Sequence, residues 1–208
     1  VTNAKLQKTC LANGVEAQVL HDPLPVDSGD DQSVTMQRKT NQVLVPLSYA
    51  NDEPLQKILE AASLSPELQW YLTGKAPQTV KGHAPRNVIF TGYLDAAEYD
   101  ELVRTSTVLI ALTNRPHTMQ RAAYEALAAA TPLVTSNYEE LRSYFGTSAY
   151  YTSNESSSIV NAIAQALADP ASCAERLSVK FDEKVADEAQ AILLLKESLA
   201  HRIADRNV

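Results

Sequence analysis

Arg115-Pro116-His117-Thr118-Met119-Gln120-Arg121-Ala122-Ala123-Tyr124-Glu125-Ala126-Leu127-Ala128-Ala129-Ala130-Thr131-Pro132-Leu133-Val134 is the stretch that decides how this chain is read. The apolar run 107–112 before it has strand composition. A polar loop then opens a helix, expected over 119–130, with Glu125 inside it. Pro132 stops the helix and a second strand, 133–135, begins there. Such a unit sets a helix N-terminus against the carboxyl end of a strand, where free N–H groups and the helix dipole favour an anion. A carboxylate deeper in the helix is placed to hold a sugar's paired hydroxyls. Together they fit a nucleoside diphosphate, with phosphates at the helix tip and ribose on Glu125.

Outward from this unit, strands and helices alternate. Strands are expected at 42–47, 69–73, 87–90, 108–112, 133–135 and 149–151. Helices are expected at 53–62, 95–105, 119–130, 138–145 and 156–168, and residues 171–204 read as helix by apolar spacing. Pro54 suits a first helical turn, and Gly146 closes the helix before it. Asp95 followed by Glu98 is an acidic variant of a capping box. This rhythm predicts a Rossmann-like, doubly wound α/β fold with a parallel sheet and helices on both faces. Ligands in such folds sit beyond the carboxyl ends of the strands, near the switch in strand order.

The flanks read differently. Residues 1–25 suggest a strand tail, a helix over 4–13 capped by Asn3, a turn at Asn13-Gly14 and a strand over 17–20. Residues 26–41 have linker composition, and Asp30-Asp31 within them is a solvated charge run. The expected division is 1–25 as the end of a preceding domain, 26–41 as linker, 42–170 as the Rossmann-like domain and 171–208 as C-terminal helices.

At 208 residues and 45% apolar, the chain holds one large domain, or one domain with a fragment of another. Mean hydropathy is −0.21. No apolar run reaches the length of about 18 residues that a membrane span needs. The start, Val1-Thr2-Asn3-Ala4-Lys5, has neither an initiator Met nor a signal-peptide pattern, so the chain is expected to be an internal piece of a longer protein. A net charge of −7 argues against a general nucleic-acid binder. Cys10 and Cys173 are read as free thiols in a reducing compartment, hence a cytoplasmic location. No cluster has metal-ligand spacing, and no Walker loop, Gly-x-Ser-x-Gly or Gly-x-Gly-x-x-Gly occurs.

The ordered elements 43–47, Leu72-Thr73-Gly74, Asn87-Val88-Ile89-Phe90-Thr91-Gly92-Tyr93-Leu94, 108–112, Tyr124-Glu125-Ala126-Leu127 and Pro132-Leu133-Val134 resemble the C-terminal half of GT-B glycosyltransferases. The likeness is to the group 1, retaining, family 4 class, and it covers 42–168. It implies a domain that binds a nucleoside diphosphate sugar, UDP- or GDP-linked, as substrate and with no separate cofactor. The acceptor, a saccharide or a lipid-linked sugar, would be held by an N-terminal domain absent here, through which any attachment to the inner face of a membrane would run. Such a hexosyltransferase works in polysaccharide biosynthesis. On that resemblance Glu125 takes the ribose hydroxyls, and the backbone of Thr118, Met119 and Gln120 meets the phosphates. Tyr93 and Leu94 pack beside the base, with Gly74, Lys75 and Ser48 nearby. No catalytic base is assigned, because it belongs with the absent half.

The chain departs from the family pattern in places. His117 stands where the family often has a carboxylate touching the donor sugar. The family often has Gly before the Pro at the helix end, and here the order is Ala130-Thr131-Pro132. Ser48-Tyr49-Ala50-Asn51-Asp52-Glu53 follows the first strand where many members have Arg and Lys. Arg115, Lys75 and the helix tip are left to neutralise a diphosphate.

Each site residue also has an ordinary reading. Glu125 is an exposed helix carboxylate, His117 a loop or capping histidine, Arg115 a surface cation, Lys75 a solvated loop lysine, and Tyr49 and Tyr93 packing tyrosines. His21, His83 and His201 read as structural or surface residues. The alternatives to a transferase are a sugar-nucleotide epimerase-like enzyme and a non-catalytic nucleotide- or partner-binding module, including the donor half of a split transferase.

Overall fold

The structure, a computed structural model, describes residues 1–25 and 38–206, with side chains to residue 200. Asp30-Asp31 and the His201 side chain lie outside the described residues.

Six strands form one parallel sheet: β1 (Gln42–Val45), β2 (Gln69–Thr73), β3 (Val88–Gly92), β4 (Val108–Ala111), β5 (Leu133–Ser136) and β6 (Ala149–Thr152). Their order is β3-β2-β1-β4-β5-β6. The direction of winding reverses between β1 and β4, so their carboxyl ends frame a crevice where neither crossover covers the sheet.

Pleating sorts the side chains. Val43, Val45, Val108, Ile110 and Val134 face one layer, packed on Ile58, Ala61 and Ala62 of α2 (Leu55–Leu64) and on Ile159, Ala162 and Ile163 of α7 (Ser156–Ala168). Leu44, Leu109, Ala111 and Leu133 face the other. There they meet Leu102 and Val103 of α4 (Ala96–Thr105), Ala123 to Leu127 of α5 (Arg121–Ala128), Leu141 to Phe145 of α6 (Glu139–Phe145), and the first turns of α8 (Pro170–Arg206). Both faces of the central strands are buried, which is why they read as unbroken apolar runs. The tail beyond 170 is one helix, α8. A short helix that the sequence did not suggest, α3 (Gln78–Lys81), lies between β2 and β3.

Two local expectations are corrected. Residues 17–20 form no strand; Leu20 N–H bonds to the Val1 carbonyl at 2.8 Å and Gln7 Nε2 to the Ala17 carbonyl at 2.8 Å, so this extended segment pairs beside α1 (Ala4–Ala12) and not with the sheet. Helix α5 is shorter than 119–130. Gln120 is its extended N-cap residue, so Thr118 and Met119 precede the helix. Ala130, at φ +50°, lies beyond its end. Asn3 caps α1 through Leu6 N–H, and Asp95 with Glu98 forms the expected capping box on α4.

The end of α5 has a clamp. Arg38 Nη2 donates to the Ala130 carbonyl at 2.7 Å, and Nη1 donates to the Arg104 and Ser106 carbonyls and to Thr131 Oγ1 at 3.1–3.2 Å. One planar fork thus satisfies carbonyls left open at the ends of two helices. Gly74 allows two loops to close on each other. At φ +79° its N–H donates to the Gly92 carbonyl at 2.9 Å, and a Cβ there would stand 2.2 Å from the Leu47 carbonyl oxygen.

Arg38→Ala should lower unfolding free energy by about 2–4 kcal/mol in urea titration, because several buried carbonyls lose a charged donor; Arg38→Lys should recover less than half, lacking the fork. Gly74→Ala should cost about 2 kcal/mol or more by the same measurement, through both the backbone conformation and the clash.

Candidate functional site

The site is built from loops at the carboxyl ends of β1 to β4. The β4–α5 loop is tied to three neighbours. Thr113 N–H donates to Ser136 Oγ at 2.9 Å, and Asn154 Nδ2 donates to the Thr113 carbonyl at 2.8 Å. Asn114 N–H bonds to the Asp52 carbonyl at 2.6 Å, and Thr113 Oγ1 donates to Asp52 Oδ2 at 3.2 Å. The loop is therefore braced by the β1–α2 connection, the end of β5 and the β6–α7 connection.

On the β1 side, Ser48 is exposed and its donors are already engaged. Glu53 Oε1 accepts from Ser48 N–H and Oγ, both at 2.9 Å, and Oε2 accepts from Ala50 N–H at 2.9 Å. Tyr49 between them has φ +60°, and its hydroxyl has no partner. Burial, then the Glu53 charge, pushes its phenol up to about 12. The loop that carries bases in many relatives of the resembled class carries here a nest of N–H groups filled by the chain's own carboxylate. Gly74 packs under this loop, against Leu47 and the Tyr49 ring. Lys75 after it is exposed. The bond from Gly74 N–H to the Gly92 carbonyl brings the β3 end beside it, where Tyr93 is 83% exposed and Leu94 packs on the core.

On the β4 side, Arg115 is exposed. Thr118, Met119 and Gln120 are half-buried, and Met119 packs on the core. Gln120 Nε2 donates to the Leu112 carbonyl at 3.3 Å, so the N-cap side chain holds the strand end and not the helix N–H groups. The N–H groups at the tip of α5 begin at Gln120 and Arg121.

Glu125 is no ordinary surface carboxylate. Its side chain is 21% exposed, and both oxygens have partners. The Tyr99 hydroxyl on α4 donates to Oε2, and Arg121 Nε donates to Oε1 at 3.3 Å. Arg121 Nη1 also donates to the Pro23 carbonyl at 3.0 Å. Burial, followed by the Glu125 charge, raises the Tyr99 phenol far above its ordinary value, so it is a hydrogen-bond donor at any working pH. A carboxylate has about four acceptor positions, so Tyr99 and Arg121 orient Glu125 without exhausting it.

His117 is held twice. Its carbonyl accepts from Asn3 Nδ2 at 3.0 Å, and its Nδ1 meets Glu140 Oε1. The loop turns at His117 with φ +65°. Burial works to raise the Glu140 carboxyl, but the His117 hydrogen bond and charge, with backbone donors, outweigh it and hold the carboxyl below its ordinary value.

The structure thus gathers Ser48, Gly74, Lys75, Tyr93 and Leu94 at the ends of β1 to β3, and Arg115 and His117 to Gln120 at the end of β4. Glu125 lies within α5, turned toward α4. The residues missed from sequence are Tyr99, Glu140 and Glu53. Arg121, four residues before Glu125, was readable as a helical ion pair. Among the described residues no cluster suited to a metal ion occurs, and no helix is long and apolar enough to cross a membrane. Neither cysteine is in a disulfide.

The family model for group 1 glycosyl transferases matches residues 47–169. No curated protein matches the chain. Among solved structures, the HepE protein of Anabaena in complex with UDP-glucose superposes with a TM-score of 0.71 at 15% identity, covering 95% of this chain and 63% of that one. Sucrose-phosphate synthase from Thermosynechococcus elongatus gives 0.67 at 17% identity, covering 99% of this chain and 58% of that one. The C-terminal domain of the group 1 family protein LpcC from Francisella tularensis gives 0.55 at 15% identity, covering 70% and 85%. The first two are GT-B proteins in fold, and this chain spans only 63% and 58% of their length. With a doubly wound sheet, a helix tip at its switch point and a family match across most of the α/β core, the chain belongs to the group 1 glycosyl transferases.

Proposed function

We propose that this chain is the donor-binding part of a retaining hexosyltransferase, which takes a nucleoside diphosphate sugar and passes the sugar to an acceptor held by residues outside it. The observation that carries the reading is the placement of α5: its N-terminus opens at the carboxyl end of β4, beside the switch from β1, with an oriented Glu125 further along. The structural neighbour HepE is solved with UDP and with UDP-glucose, which favours UDP among the donors.

In this reading the α5 tip and Arg115 face the diphosphate. As the bond from the anomeric carbon breaks, its electron pair stays on the phosphate oxygen. Preorganised N–H groups meet that charge without having to reorient. Thr118 and Met119 contribute as loop backbone, with Gln120 and Arg121 as the first helical donors. Glu125 accepts the ribose hydroxyls on positions that Tyr99 and Arg121 leave open. Tyr93 and Leu94 flank the base, beside Gly74 and Lys75. Ser48 acts only if Glu53 releases it.

The nest filled by Glu53 favours a second reading, a nucleotide-binding module without transfer, because it puts an acid where a diphosphate would want a base. Donor hydrolysis or transfer by the full-length protein separates the two.

Thermal unfolding against UDP, GDP, ADP and TDP, with their nucleosides as controls, tests the site. At a hundredfold excess over Kd a ligand adds about 2.7 kcal/mol, a rise of roughly 5–10 °C for a chain of this size. The expected result is a rise with one diphosphate that its nucleoside does not match; no rise with any would remove the donor site. Glu125→Ala should weaken that diphosphate by about 1.5–3 kcal/mol, and Glu125→Gln by less, in calorimetric titration. Unchanged affinity in a folded Glu125→Ala variant would take Glu125 out of the site.

A further inference from the structure

We infer that Glu140 is a positioning residue that holds His117 as a cationic hydrogen-bond donor to the diphosphate of the donor substrate. This rests on the donor-binding reading above and adds a charge partner to that site.

The geometry is specific. Glu140 sits on α6, after β5, with its side chain only 7% exposed, while the His117 ring is 41% exposed at the mouth of the β4–α5 loop. The His117 carbonyl is fixed by Nδ2 of buried Asn3, whose Oδ1 caps α1, so the turn that carries the imidazole is tied to the start of that helix. Nδ1 is engaged by Glu140, which leaves Nε2 as the ring nitrogen free to meet a ligand.

Charge decides the form of the ring. A buried carboxylate beside an anion site is unfavourable twice over, by desolvation and by repulsion. An imidazolium between carboxylate and phosphate removes both costs: Nδ1–H answers Glu140 and Nε2–H answers the phosphate oxygen. The neutral ring can serve only one of them. The other charged groups around the cavity that Glu140 lines are Glu139 on α6, Lys5 and Lys8 on α1, His21 after it, and Lys184 on α8. Lys184 is already paired with Asp187 at 2.7 Å and lies 5.1 Å over the Tyr144 ring. Arg115 and Arg121 flank His117 along the chain. The local field is therefore mixed, and the ion pair that reaches the loop before α5 is His117 with Glu140. A carboxylate-to-histidine replacement at this position, read from sequence as a departure, becomes a way to place a cation where the loop after β1 offers none.

The test is calorimetric titration of the chain with the diphosphate that binds and with its nucleoside. His117→Gln should weaken the diphosphate roughly tenfold or more and leave the nucleoside unchanged. Glu140→Gln should weaken it less, and the double variant should be no worse than His117→Gln alone, since Glu140 acts through the ring. Should Glu140→Gln fail to fold, the exposed His117 ring still carries the comparison of diphosphate with nucleoside. Equal diphosphate affinity in His117→Gln, or equal loss for the nucleoside, would overturn the inference while leaving the donor site standing. Failure of every diphosphate to bind the unaltered chain would instead overturn the donor reading, and this inference with it.

Discussion

Beyond Ala111 the chain leaves β4 and has no strand partner, yet Thr113 and Asn114 are as firmly bonded as residues in the sheet. Thr113 exchanges bonds with Ser136 and its carbonyl accepts from Asn154 Nδ2, while Asn114 N–H donates to the Asp52 carbonyl. Polar groups that leave a buried sheet must find partners or cost free energy. Here the partners come from the ends of β1, β5 and β6, so a single loop is cross-braced to three others. Everything the candidate site needs from α5 depends on that brace. The helix tip points where it does because the loop before it has no freedom to choose another exit.

That rigid frame carries an unusual charge pattern. The β1–α2 loop uses Glu53 to close on its own N–H groups, which makes it self-sufficient and acidic. The β4–α5 side holds Arg115, His117 and Arg121, with Glu125 and Glu140 each bonded to one of them. The arginines at the candidate site therefore stand on the β4–α5 wall, while the β1–α2 wall carries Glu53.

The fold was legible because its signals are local and repeated. Apolar runs bounded by Gly74, Gly92 and Pro132, and the Asp95–Glu98 box, are signals within a few residues of each other. The short helix Gln78–Lys81 and the true start of α5 were not, since Gln120 looks like a helix former until its side chain is found on Leu112. Residues 17–20 are apolar enough for a strand, but composition cannot say whether a sheet edge is near. For the site, the positions in the loops were legible and the partners were not. Tyr99 lies 26 residues from Glu125 and Glu140 lies 23 from His117, distances at which no spacing rule operates. Arg38 reaches Ala130 across 92 residues.

The opening segment shows how far the candidate site extends along the chain. Sequence composition sets residues 1–25 apart as the end of something else. Yet Leu24 is buried in the α4–α5–α6–α8 layer, Pro23 holds Arg121, His21 stacks edge-on against Tyr144, and Asn3 holds His117. Two of these contacts fall on His117 in the loop before α5 and on Arg121 at its first turn, and Arg121 passes the constraint on to Glu125. The segment is therefore a strut of the candidate site as well as a flank to the sheet. Residues 1–25 thus reach the imidazole at 117 through the amide of Asn3 and the carboxylate at 125 through the Arg121 guanidinium that Pro23 holds, so one piece of chain braces both ends of the candidate site.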